Sequence, residues 1–274
     1  IDLTIGKSPK QILDAIPCYY GRSKGRAAKT FMHKDHSAKA LANKVRRYVQ
    51  SQSRNKFRGE RTTGTLNSQD VTRLILPPIN GDKTNKRHKN TAVCILVDWS
   101  GSMSGDKQVY AAEAAIRASN VFARSLKMPC MIASFTTNIS FNDMAIMKHF
   151  NKPASDKDLA ARFGAWSAFT GANNDADAVM WSYRRLMERK ESRKLLFVMS
   201  DGAPAGSYNY MDSAHACLLA ATRHIQDEGN VELFGLGIES EAVSMYYDNY
   251  KVVRGLSEIN DALLDVLKRS VTYG

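Results

Sequence analysis

No apolar run in the chain approaches the roughly 18–20 residues of a membrane span, and no signal peptide opens it. Both absences point away from the membrane and toward the cytoplasm. Cysteine is scarce: Cys18, Cys94, Cys130 and Cys217 are the four, and none forms a C-x-x-C pair. Cys94 and Cys130 fall inside predicted core strands, so they read as buried, reduced thiols rather than as a disulfide framework or zinc site. Opening on Ile1 rather than Met, the chain reads as a fragment or a processed product.

What is present is 274 residues, 43% of them hydrophobic, long enough for one good core plus an appendage. The net charge of +12 is unevenly placed. Residues 1–90 hold 20 Lys+Arg against 6 Asp+Glu, which leaves 19 and 21 of the totals of 39 and 27 for residues 91–274. All the basicity therefore belongs to the first third, which implies two regions with different partners. Residues 1–90 read as a basic, partly helical N-terminal extension. Short helices are expected over 9–16 and 68–74, with a longer one from Ser37 carrying Ala38, Leu41, Ala42, Val45 and Val49 at helical spacing.

From Thr91 the pattern becomes an alternation of strand and helix. Strands are expected at 91–98, 130–135, 194–199, 231–238 and 250–253, with an edge-like segment at 145–149. Helices are expected at 107–126 (capped by Asp106), 155–163, 175–189, 210–227 and 258–270. Strands separated by helices of this length imply an α/β fold with a doubly wound, mainly parallel sheet.

The most informative stretch is Val93-Cys94-Ile95-Leu96-Val97-Asp98-Trp99-Ser100-Gly101-Ser102. Its apolar run reads as a strand buried on both faces. Asp98, Ser100 and Ser102 then sit on the turn at the strand's carboxyl end, where open α/β sheets place their ligand sites. Asp201, in Ser200-Asp201-Gly202-Ala203-Pro204, ends a second core strand at the same edge. The polar loop 170–175 precedes the helix between them and can form a third wall. Hydroxyls and carboxylates converging there suit a hard divalent cation: Mg²⁺, or Mn²⁺ or Ca²⁺, held by oxygens.

These residues resemble the von Willebrand factor A (VWA) family, whose D-x-S-x-S motif forms a metal-ion-dependent adhesion site, or MIDAS, for Mg²⁺. Asp98-Trp-Ser100-Gly-Ser102 matches the motif and Asp201-Gly202 the family's second acidic loop. The match is closer to the VWA-bearing T-type subunit of the aerobic cobaltochelatase, through Phe135-Thr136-Thr137, Asn173-Asn174-Asp175-Ala-Asp177-Ala and the segment from Arg193 to Pro204. The resemblance covers about residues 40–270 and makes 91–274 the VWA domain. The family supplies a threonine from the middle loop, where this chain has Ala172. Thr170, Asn173 or Asp175 can take that place, with Asp175 ranked first because it is charged.

The resemblance implies a non-catalytic subunit of an ATP-dependent complex. A MoxR-type AAA+ ATPase would supply energy, and a client protein would offer a carboxylate to the metal. Enzymatic readings of the same loop fail on particular residues. Gly101-Ser-Met-Ser-Gly105-Asp106-Lys107 lacks the spacing of a Walker A loop. Met103 stands where a nucleophile elbow needs serine, and Ser100 stands where a phosphoaspartate phosphatase needs its second aspartate. The rival function is nucleic-acid binding, with Arg46, Arg47, Arg54, Lys56 and Arg58 on phosphates and the VWA domain as scaffold. His33-Lys-Asp35-His36 lacks further ligands and reads as a solvated loop.

Overall fold

The computed structural model describes residues 91–138, 141–202, 204–205 and 211–255, together with positions 43, 44, 258, 261, 262 and 265. The helices expected before residue 91, most of the one expected at 258–270, and the basic positions Arg46, Arg47, Arg54, Lys56 and Arg58 lie outside the described residues.

Six strands form one sheet in the order β3-β2-β1-β4-β5-β6. They are β1 Thr91–Asp98, β2 Cys130–Asn138, β3 Phe141–Lys148, β4 Arg193–Ser200, β5 Glu232–Ile238 and β6 Tyr250–Val253. All neighbours run parallel except β3, which folds back antiparallel on β2 at the edge. Four helices connect them: α1 Asp106–Ser119, α2 Asp156–Trp166, α3 Asp175–Met187 and α4 Met211–Glu228. β1 lies between β2 and β4, so the strand order reverses at its carboxyl end. That is the place where a crevice opens in such sheets.

β1 shows why the sheet is two-sided. All eight of its residues are buried. Val93, Ile95 and Val97 join one core with Ala111, Ala115, Phe122, Leu159 and Phe163. Ala92, Cys94 and Leu96 join the other with Ala176, Val179, Leu186, Leu218 and Ile225. The strand period of two sends alternate side chains to opposite layers, and removal of this apolar surface from water is the main stabilising term. Cys94 and Cys130 are buried free thiols, as expected.

Local outcomes differ from expectation at several ends. Gly105 (φ 85°), not Asp106, occupies the cap position of α1, and Asp106 is its first residue. The left-handed φ there suits glycine. The expected single helix to 126 ends at Ser119 and continues as a π-helical turn, Asn120–Ser125. β2 runs three residues past Phe135, because Thr136 to Asn138 pair with Phe141 to Asp143 of β3. α2 starts with a capping box in which Ser155 and Asp158 satisfy each other's backbone N–H groups. Among the described residues, no helix is long and apolar enough to cross a membrane.

Candidate metal centre at the sheet switch point

Three loops meet at the carboxyl edge of β1 and β4, and each is tied to the other two. The β1 loop joins the middle loop through Gly101 N–H donating to Gly171 O, 2.8 Å. The middle loop joins the β4 loop through Ala205 N–H donating to Asn173 Oδ1, 2.9 Å. β4 returns to β1 through Ser200 Oγ–H donating to Asp98 Oδ2, 2.9 Å. The middle loop is further pinned to β2: Ala172 and Thr137 exchange backbone hydrogen bonds of 2.8 and 3.0 Å, and Gly171 N–H donates to Thr136 Oγ1. A Cβ on Gly171 would come within 2.2 Å of Thr137 O, so the loop lies against β2 because the residue is glycine. Gly202 has the same logic after Asp201, with φ 74° and room for no Cβ beside Val243 N.

Within this frame Asp98 is fully buried and accepts from Ser100 N–H at 2.8 Å through its second oxygen. Ser100 is buried, Ser102 is exposed, and their hydroxyls are 3.0 Å apart. Asp175, first residue of α3, and Asp201 are both buried. The Ser200 hydroxyl carries a single proton, yet it lies 2.9 Å from Asp98 Oδ2 and 3.4 Å from Asp175 Oδ1 while accepting from Gly202 N–H. Lys107, from the first turn of α1, reaches Asp201 Oδ2 at 3.3 Å. That leaves Asp175 Oδ2 and Asp201 Oδ1 buried without a hydrogen-bond partner among the described residues.

The electrostatic consequence is direct. Burial pushes the Asp98 carboxyl up to about 6, and the charge of Asp201 adds to it. Asp175 is held well above the carboxylate range by burial first, then by the charges of Asp98 and Asp201. Desolvated like charges either take up protons or gather a cation. Among the described residues no three His, Cys, Asp or Glu side chains form a self-sufficient chelate. The donor set is therefore mixed, with carboxylate oxygens beside hydroxyls and one hydroxyl facing solvent. It fits a hard, water-retaining divalent cation better than a soft one.

Of the positions singled out in the sequence, Asp98, Ser100, Ser102, Asp175 and Asp201 are brought to this edge. Asn173 is buried there too, but its Oδ1 braces Ala205. Thr170 is exposed, two residues before the Ala172 bridge. Sequence reasoning missed Ser200 and Lys107. In the sequence Ser200 is only the residue before Asp201, and Lys107 only the start of a helix beside a loop without Walker A spacing.

Residues 141–272 match the family described as Cobalamin biosynthesis protein CobT VWA domain. Among solved structures the chain is similar to the pilus adhesin SpaC from Lactobacillus rhamnosus GG in its open conformation (TM-score 0.51, 12% identity, 68% of this chain and 31% of SpaC covered). It is also similar to the PilB minor pilin from Streptococcus sanguinis (TM-score 0.53, 11% identity, 72% of this chain and 66% of PilB covered). The chain thus spans less than two thirds of either protein, and at these identities the likeness concerns the fold alone.

Proposed function

The chain carries a VWA domain related to that of the CobT subunit, and on that premise we propose that it is a cation-dependent docking subunit of a cobaltochelatase-like complex. The observation that carries this reading is the pair of buried, unpartnered carboxylate oxygens, Asp175 Oδ2 and Asp201 Oδ1, beside the Ser100 and Ser102 hydroxyls.

Asp98, Ser100, Ser102, Asp175 and Asp201 would hold Mg²⁺, or Mn²⁺ or Ca²⁺, directly or through water. The bound cation would neutralise the buried carboxylates and offer an open position to a carboxylate of a client protein. Asp98 orients the β1 loop through Ser100 N–H, and Ser200 fixes β4 against β1. Ser102 places a donor at the solvent side. The partner that converts docking into work would be a MoxR-type AAA+ ATPase.

The test is capture of such an ATPase by the full chain. Capture is expected in Mg²⁺ and lost in EDTA or with Asp98→Ala, whose circular dichroism should remain that of the parent. Capture unchanged by both treatments contradicts the docking mechanism.

A second reading rests on the excess of 20 Lys+Arg over 6 Asp+Glu in residues 1–90. It expects RNA or DNA binding that falls steeply with salt and is abolished by neutralising Arg46, Arg47, Arg54 and Arg58.

A further inference from the structure

At the opposite edge of the sheet, where β2 begins and β3 ends, the surface forms an open cavity of about 420 Å³. That lies within the roughly 300–1,000 Å³ of small-molecule clefts. Its walls come from the π-helical turn after α1, the segment leading into β2, and the segment between β3 and α2. Four cationic side chains line it: Arg124, Lys127, Lys148 and Lys152. Ala123, Met128 and Phe150 supply an apolar side.

The charges are not balanced from within. Arg124 pairs with Asp156 at 3.0 Å and donates to Ala154 O. Asp156 is further held by Asn120 Nδ2–H, 3.1 Å. Lys127, Lys148 and Lys152 form no ion pair among the described residues. Lys148 is the telling member, because it is buried, at 5% exposure. Its ammonium donates to the carbonyls of Cys130 (2.6 Å) and His149 (3.4 Å), which leaves one of its three N–H groups unassigned. A buried ammonium held by carbonyls alone is costly unless an anion completes its surroundings.

The backbone is also unusual here. A π-helical turn that includes Arg124 follows α1, and Lys127 takes a left-handed φ of 57°, a conformation that costs a non-glycine residue some energy. Burial, then Lys152, Arg162, Arg185 and Lys148, depress the adjacent His149.

We propose that this cavity binds a small organic anion with two or more negative charges, phosphate-bearing or polycarboxylate, whose apolar part lies against Ala123, Met128 and Phe150. Lys148 is the buried contact, and Lys127 and Lys152 close on the anion from the rim.

The experiment is calorimetric titration of the full chain in EDTA with sodium pyrophosphate, citrate and a nucleoside diphosphate. Saturable one-site binding of at least one probe is expected. It should weaken by about tenfold or more in Lys127→Ala/Lys152→Ala and in Lys148→Met, and stay unchanged in the exposed control Lys157→Ala/Lys190→Ala. A preference for the phosphate probes assigns the phosphate source, and a preference for citrate assigns the carboxylate source. The proposal is overturned if no probe saturates. It is equally overturned if the Lys127/Lys152 variant binds as the parent does, which would place the anion on the basic residues 1–90.

Discussion

The two edges of the sheet carry opposite charge, and neither balances it internally. At the carboxyl edge of β1 and β4, buried aspartates face one another with two oxygens unpartnered. At the other edge, among the described residues, a buried lysine is held by carbonyls beside further cations. Between them β1 is apolar from Ala92 to Val97, and buried charge at a strand end stabilises only when it is paired. Elsewhere in the domain buried charge is paired: Glu113 and Arg117, one turn apart on α1, meet at 2.8 Å with both side chains 6% exposed. The edges depart from that rule, so they are where an external partner is expected.

The carboxyl edge can be tested by supplying its missing cation. At 100 times its dissociation constant, Mg²⁺ should stabilise the domain by about 2.7 kcal/mol. For a domain of this size that is a rise in melting temperature of about 5–10 °C over EDTA. Equal melting temperatures would remove the case for a cation.

Next in size, Ser200→Ala should cost about 1–3 kcal/mol. It deprives Asp98 Oδ2 of its donor and Gly202 N–H of its acceptor. Denaturant melts should show this loss in EDTA. A neutral substitution would mean that Ser200 is a bystander.

This residue marks how far the sequence could be read. The β1 and β4 strands, Asp98 and Asp201 were legible because apolar runs ending in an acidic turn have few other meanings. Ser200 was not, because its role depends on β4 lying in parallel register beside β1, a long-range pairing. The polar tail of β2 was missed for the same reason. Thr136 and Thr137 look like loop residues until β3 and the middle loop supply their partners. The π-helical turn after Ser119 and the left-handed Lys127 leave no periodic signature in sequence, so the cationic cavity was invisible there.

A pH series probes the same edge more gently. Asp98 keeps its proton in the fold to about pH 6, whereas the unfolded chain releases it near 3.8. The folded state binds more protons across that window, so its stability falls as pH rises. Without metal, going from pH 5 to pH 7 should cost the parent about 1 kcal/mol more than Asp98→Asn, and saturating Mg²⁺ should erase the difference. The opposite slope would contradict the burial of an unpaired carboxyl.

The smallest expected effect lies at Lys107, which is 28% exposed and 3.3 Å from Asp201 Oδ2. As a tethered cation it competes for that carboxylate. Lys107→Met should therefore tighten Mg²⁺ binding by no more than about fivefold, the range of a partly exposed ion pair. Weaker binding would make Lys107 a support for the loop instead.

Most direct is titration of the full chain with MgCl₂, comparing the parent with Asp98→Asn. One saturable site is expected in the parent. The variant should bind more weakly by at least the ~10–100-fold that loss of even an outer-shell partner costs, with its fold intact by circular dichroism. Absence of binding in the parent, or equal binding in Asp98→Asn, would contradict the assignment of this edge as a metal centre.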